Sequence, residues 1–416
     1  MPRGTRTEEL PVAIIGAGPV GLTAALHVAE RGMRPLILEA GEGPGTYVRD
    51  WAHVGMFSPW EYNVDPLARR VLGDAGWAAP PDDELPTGAE LVERLIEPLA
   101  DLPAIRSAIR YGRRVVGVSR SGIDKLSDRG REDAPFVIHS RGEDGVEERF
   151  LASAVIDASG TWGNPNPLGS AGLSALGEAE HGDLISRRIP DVSGAERGRY
   201  AGRRVLVVGA GDSALNALLD LCALAEQEPA TEVVWALRGS EPRLGNGAAD
   251  QLPARGSLGS RVRELVASGA IEVVPGFRTE ALEGGSGALR VQGRNGTMIG
   301  IDEIIAVTGF RPDLDMLREL RLAIDPAVES PTLLAPLIDP NVHSCGTVPP
   351  HGFAELSHPE PGFFIVGMKS YGRAPTFLLR TGYEQVRSVV AALAGDLDSA
   401  RDVELVLPET GVCGVA

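Results

Sequence analysis

The chain has 416 residues, 43% hydrophobic and 23% charged, which is enough for two or three domains around a large buried core. A formal net charge of -17 argues against a nucleic-acid or anionic-membrane partner, because basic surface supplies most of that affinity. Cys222, Cys345 and Cys413 lie far apart with no C-x-x-C, which argues against a disulfide framework or a metal site and fits a reducing cytoplasm. Gly16, Gly18, Pro19 and Gly21 break the first apolar run, and no other run is long enough to span a bilayer, so neither a signal peptide nor a membrane helix is expected.

Residues 12–15 form a short continuous apolar run. A glycine turn, a stretch of helical spacing over 22–30 and the run PLILE at 35–39 follow. Strand, turn, helix and strand in that space make a βαβ unit on a buried parallel sheet. Residues 51–81, rich in proline and aromatics, read as loop, and 91–99 as a helix. Strands over 113–119 and 136–140, a turn at 142–145 and a run over 147–157 predict an antiparallel hairpin ending in AVIDASG. Residues 163–198 read as a Gly/Pro/Ser-rich linker. A second βαβ unit begins with RVLVVG and continues through a helix over 214–225 and a strand over 232–238. A short strand at 271–276 and a hairpin through 293–296 lead into AVTGFRPD. The strand GFFIVG and a helix over 376–394 close the chain. The halves repeat one another, which predicts an α/β fold of two Rossmann-like, three-layer dinucleotide-binding domains, one inserted into the other. The expected boundaries are 1–195 with 303–416 for the outer domain and 196–302 for the inner one.

In the first glycine motif, Gly16 permits the tight turn, Gly18 lets backbone approach a pyrophosphate, and Gly21 lets helix and strand pack closely. Pro19 and Val20 open the helix, whose free N–H groups suit phosphate. Glu39, followed by Ala40, ends the next strand and can accept hydrogen bonds from a ribose with free hydroxyls, which suits FAD. In the second motif Gly209 and Gly211 are followed by Ala214, an accepted third residue. Asp212 and Ser213 read as a cap pair beside the pyrophosphate. Arg238 stands where a ribose-reading carboxylate would otherwise sit, and a guanidinium there can clamp a 2′-phosphate, which suits NADPH. Arg243 is either a second clamp or a surface arginine. Two cradles of opposite ribose chemistry imply a flavin that stores electrons and a nicotinamide that delivers them.

On these motifs the chain resembles flavoproteins with paired dinucleotide-binding domains, and among them the flavin-containing and Baeyer–Villiger monooxygenases. DASGTWGNPNP (157–167) and AVTGFRPD (306–313) look like two copies of that group's A-T-G return strand. ALGEAEHGDLI (175–185) carries Gly177 and His181 at the spacing of its linker motif, with Ala175 and Ile185 at the positions that are aromatic in the family. The resemblance implies that Gly160 and Gly367 lie at the FAD and that a helix beginning near Thr376 aims its N-terminus at the flavin ring. It also places His181 at the NADP. The loop GMKSYGRAP then lies against the flavin and offers Lys369 and Tyr371 as catalytic candidates. Lys369, with Lys125 one of only two lysines, reads as proton donor, substrate anchor or solvated loop residue. Tyr371 reads as ring neighbour, general acid or packing. His351, on a segment read as a lid, is a third candidate for touching substrate. The aromatics Trp51, Phe57, Trp60 and Tyr62 form either an apolar substrate pocket or local packing.

The resemblance implies a monooxygenase taking NADPH, O₂ and a small-molecule substrate through a C4a-hydroperoxyflavin. The alternatives are an NADPH-dependent flavoprotein reductase or dehydrogenase serving a quinone, partner protein or other acceptor, and a non-catalytic NADP-sensing or partner-binding flavoprotein. No metal, nucleic acid or membrane is expected, and the oligomeric state stays open, a homodimer being one option.

Overall fold

Four apolar residues in a row leave β1 (Val12–Ile15) no solvent face, and it is buried along its whole length. It pairs in parallel with β2 (Pro35–Leu38) and β7 (Ala154–Asp157). With β3 (Ile109–Arg110) and β16 (Phe363–Ile365) these give a five-stranded sheet of order β16-β7-β1-β2-β3. Helix α1 (Pro19–Glu30) packs its Leu22, Ala25 and Val28 into the same core as α5 (Leu379–Leu393), which contributes Val386, Val389 and Val390. A three-stranded antiparallel sheet, β4 (Arg114–Arg120), β5 (Phe136–Arg141) and β6 (Glu147–Ala152), belongs to the same unit. The computed structural model describes residues 10–242, 244, 250, 252–284, 289–342, 348–374, 377–403 and 405.

The second unit repeats the plan. Strand β9 (Arg204–Val208) pairs in parallel with β10 (Glu232–Ala236) and β15 (Glu303–Ala306). The sheet order is β11-β10-β9-β15-β8, with β11 at Glu272–Val274 and β8 at Ile185–Ser186. Helix α3 (Asp212–Gln227) connects β9 to β10, and β12 (Thr279–Glu283), β13 (Leu289–Gly293) and β14 (Met298–Ile301) make the accompanying antiparallel sheet. The fold is thus two Rossmann-like units, the second inserted in the first.

Sequence and structure differ at four places. The compact units divide at Asn164/Pro165 and Phe310/Arg311 rather than at 195/196 and 302/303. The reason is that the linker is built into the second unit: β8 pairs with β15, and Glu178 is buried at 2% exposure. Its carboxylate accepts from Leu168 N at 2.9 Å, Ala175 N at 2.6 Å and Arg187 Nη2 at 2.6 Å. Burial works against that charge, but these donors outweigh it and hold the group below the usual carboxylate range. Second, the expected loop over 51–81 contains α2 (Pro66–Asp74), started by an Asp65 side chain that accepts from Ala68 N and by Pro66 in the first turn. Third, α4 (Pro253–Ser268), ended by Gly269 at φ 80°, had no counterpart in the sequence reading. Fourth, the last helix starts at Leu379, not near Thr376, which lies outside the described residues.

Glu360, 1% exposed, ties the first unit together by receiving Arg120 Nε at 2.8 Å and Arg131 Nη2 at 2.5 Å. Two residues away, His358 Nδ1 accepts from Ala323 N while its Nε2 is buried without a partner among the described residues. Burial pushes this imidazole down from 6.5 to about 4, against the weaker opposing pull of the Ala323 bond. The unfolded chain therefore binds a proton here before the folded one does. The stability tied to His358 is fully present above pH 6.5 and is lost as pH falls toward 4, by about 1–3 kcal/mol. Urea denaturation at pH 7.5 and pH 5 should show this loss, and His358→Gln should flatten the slope. An identical slope in the variant would remove His358 from the explanation.

Candidate functional site

Gly16 has φ 101°, open to glycine alone, and a Cβ added there would lie 2.9 Å from Ala158 O. A Cβ at Gly21 would lie 2.0 Å from Gly16 O, so the helix can settle onto the strand only with hydrogen at that position. Gly18 is different: its backbone is extended and nothing lies within 4 Å of an added Cβ. Pro19 is the first helical residue and no side chain caps the end, so the α1 N-terminus presents bare amides to open space. Glu39 is 7% exposed, and its two oxygens accept from Ala17 N at 2.7 Å and Gly41 N at 2.8 Å. Those bonds fix the carboxylate at the carboxyl end of β2, beside Ala40, and leave each oxygen a second lone pair for a hydroxyl donor. Gly160 and Gly367, both at positive φ, form the turns at the carboxyl ends of β7 and β16, and Gly367 packs against Val20. A dinucleotide fits this arrangement, because the open space, bare helix end and fixed acceptor lie where an open α/β sheet binds ligand.

The second turn has the same construction. Gly209 has φ 145°, its added Cβ would meet Val307 O at 2.3 Å, and Trp235 Nε1 donates to its carbonyl at 2.7 Å. Gly211 has nothing within 4 Å, and Ala214, fully buried, lets α3 pack closely. The expected cap pair is not formed. Gly211 occupies the cap position, no side chain caps the helix, and Asp212 and Ser213 are its first two residues. Burial raises the Asp212 carboxyl above its usual range, partly opposed by Arg255 and reinforced by Asp250. Arg238 follows β10, is exposed, and has no carboxylate partner among the described residues. Arg243 lies outside the described residues. Gly177 has φ 76° and abuts Leu282 O, while the His181 ring lies against Gly284, so packing within the second unit accounts for the Gly–His spacing.

The catalytic candidates are all buried. Lys369 is 1% exposed, with Nζ 2.7 Å from Asp157 Oδ2 and 3.0 Å from Ser159 Oγ, so the solvated-loop reading is wrong. Tyr371 is 1% exposed, and its ring meets Phe377 edge-on at 5.1 Å. Burial raises its phenol well above the usual range, against a hydroxyl bond with Thr381. His351, also 1% exposed, is not on an exposed lid: Nδ1 meets Pro349 O at 3.0 Å and Nε2 meets Gln385 Nε2 at 3.1 Å. Gln385 Oε1 in turn accepts from Gly367 N at 2.8 Å, so this network supports the Gly367 turn, a role that sequence spacing does not reveal. Of the four aromatics, Trp51 and Phe57 line an apolar cavity of about 190 Å³ together with Pro19, Met56 and Phe377, while Trp60 is packed in the core.

Two such turns, each ending a parallel strand and opening an uncapped helix, define a dinucleotide-dependent oxidoreductase. The chain belongs to the pyridine nucleotide-disulphide oxidoreductase family, whose profile matches residues 10–346. FAD and NAD(P)H are its cofactors. Ferredoxin–NADP reductase 1 of Cupriavidus necator is 29% identical over 310 residues, 72% of this chain and 70% of the relative. Among solved structures, the bacillithiol disulfide reductase of Bacillus cereus superposes with a TM-score of 0.68 at 20% identity, covering 93% of this chain and 99% of that one. A variant of a flavin monooxygenase from Stenotrophomonas maltophilia gives 0.60 at 22% identity, covering 93% and 98%. At these identities the structural likeness shows the fold. No described helix is long and apolar enough to cross a membrane.

The open space above Gly18 and Gly211 makes a separable pair of tests. Gly18→Val should fold with an unchanged melting temperature in its flavin-free form yet lose FAD affinity more than tenfold. Gly211→Val should keep FAD and lose NADPH affinity to a similar degree. Fluorescence titration of each cofactor reads both, and a Gly211→Val protein that binds NADPH normally would place that dinucleotide elsewhere.

Proposed function

We propose that the protein is an NADPH-dependent FAD reductase that passes electrons to a small, apolar acceptor. The observation that carries this reading is the opposition between the two ribose positions. Buried Glu39, held by two backbone amides, suits a ribose with free hydroxyls, and exposed Arg238 suits a 2′-phosphate. FAD, when bound, supplies two-electron acceptance from a hydride donor and return of those electrons to a second substrate. The chain's own part is to hold and orient. The bare α1 and α3 N-termini would receive the pyrophosphates, Glu39 and Arg238 would hold the riboses, and the cavity at Pro19 would offer apolar surface to the acceptor. The balance is NADPH plus a proton plus the oxidised acceptor, giving NADP⁺ and the two-electron-reduced acceptor.

A neutral, apolar acceptor such as a quinone matches a cavity lined by Trp51, Phe57 and Phe377. A net charge of -17 repels an acidic protein carrier, which weighs against carrying over the ferredoxin of the curated relatives. The monooxygenase remains the second reading, favoured by the Gly177/His181 spacing. The packing of both residues within the second unit gives that spacing a structural reason and lowers its weight.

Mixing the NADPH-reduced holoenzyme with oxygenated buffer in a stopped-flow instrument separates the two. Single-phase return to oxidised flavin with release of one H₂O₂ is expected. A long-lived transient with its own absorbance would establish the monooxygenase instead. Independently, Arg238→Leu should lower kcat/KM for NADPH about 10- to 100-fold, equivalent to about 1.4–2.7 kcal/mol, and leave NADH little changed. An equal loss with both nucleotides would remove Arg238 from the 2′-phosphate.

A further inference from the structure

Asp157 ends β7 opposite Ile15, one residue ahead of the turn at Gly16. The second unit repeats this register with a different residue: Ala306 ends β15 opposite Val208, one residue ahead of Gly209. The fold is therefore built equally well with a buried methyl at this place. The first unit instead carries a carboxylate that is 0% exposed. Its partner, Lys369, comes from the turn after β16, 212 residues along the chain.

The three groups close a ring. Lys369 Nζ donates to Asp157 Oδ2 at 2.7 Å and to Ser159 Oγ at 3.0 Å, and Ser159 Oγ donates to Asp157 Oδ1 at 2.6 Å. Ser159 N donates to the same Oδ1 at 3.1 Å. This ring fixes the backbone of Ala158 and Ser159, the surface on which Gly16 rests: an added Cβ there would lie 2.9 Å from Ala158 O and 3.2 Å from Ser159 Cα. Gly367, two residues before Lys369, is pressed against Val20 of α1. The ion pair thus lies under the cradle whose helix end receives the pyrophosphate, a group with two negative charges. An unpaired carboxylate at Asp157 would repel that group across a low-dielectric gap.

We infer that Lys369 is a positioning residue for FAD that acts through Asp157. It acts by cancelling the carboxylate's charge beneath the pyrophosphate cradle; it is not a proton donor to substrate. The inference rests on reading the first cradle as the FAD site.

Charge makes the test asymmetric. FAD release from the diluted holoenzyme is followed by the rise in flavin fluorescence, and the melting temperature of the flavin-free protein is measured alongside. Lys369→Met leaves a buried negative charge and should release FAD at least tenfold faster than the wild type. The double variant Lys369→Met/Asp157→Asn is neutral throughout and should return to within about threefold of the wild-type rate. Asp157→Asn leaves a positive charge and should release FAD no faster than the wild type, even where its flavin-free form melts lower. Equal acceleration by both single variants would reduce the pair to a mechanical latch and overturn the inference, as would a wild-type rate for Lys369→Met. If Lys369→Met does not fold, Lys369→Arg against the double variant carries the test: slow release from both supports charge cancellation, and fast release from the neutral pair overturns it. A wild-type protein that binds no FAD at all would instead remove the underlying reading of the cradle.

Discussion

In both units the first glycine of the turn lies flat against a carbonyl of the strand that returns beside it, Ala158 O for Gly16 and Val307 O for Gly209. The contact leaves no room for a side chain, and it sets the height at which the following helix leaves the sheet. In the first unit Gly21 then brings α1 down onto the Gly16 carbonyl, and in the second the methyl of Ala214 does the same work for α3. Both helices begin with glycine at the cap and no side chain on their amides, an arrangement that costs about a few tenths of a kcal/mol relative to a good cap. The free amides at these two ends are available to a bound phosphate.

Once the turns are fixed, what each unit recognises is decided by the few side chains at the strand ends. Glu39 is drawn inward by Ala17 N and Gly41 N, so its carboxylate is aimed before any ribose arrives. Arg238 is exposed, and on the proposed reading it would order only around a 2′-phosphate. On that reading the first site would be the preorganised one, as suits a resident cofactor, and the second would suit a nucleotide that comes and goes. The buried network from His351 through Gln385 to Gly367 N adds rigidity on the same side as Glu39, within the first unit.

The repeated βαβ units, both glycine turns and the hairpins could be read from sequence because each rests on residues within about thirty positions of one another. Glu39 was legible for the same reason. What sequence did not show depends on distant partners or on one-residue signals in proline-rich stretches. Helix α2 is announced only by Asp65 and Pro66, inside a segment whose other prolines and aromatics argue for loop. The unit boundary was misplaced because Glu178, one carboxylate in a glycine-rich run, gathers three donors and ties that run to the second unit. Lys369 drew notice as a rare lysine, but Asp157 lies 212 residues away and nothing in its own segment marks it as a partner.

The family's name refers to disulphide chemistry, and the described cysteine bears on how far that extends to this chain. Cys222 lies inside α3 at 4% exposure, and burial, with a smaller push from Glu226, raises its thiol to about 11. Thiol exchange needs a thiolate that can reach its substrate, so Cys222 can serve as neither attacking nor resolving group. Among the described residues, then, no thiol offers the proposed acceptor a route to the reduced cofactor. Within the first unit, the apolar cavity that begins at Pro19 and is walled by Trp51, Phe57 and Phe377 offers such a place. Its lining has no charged group to hold an anion and no thiol to form a mixed disulfide. What it can select is an uncharged ring or chain of modest size, and the proposal of a small apolar acceptor follows from that chemistry.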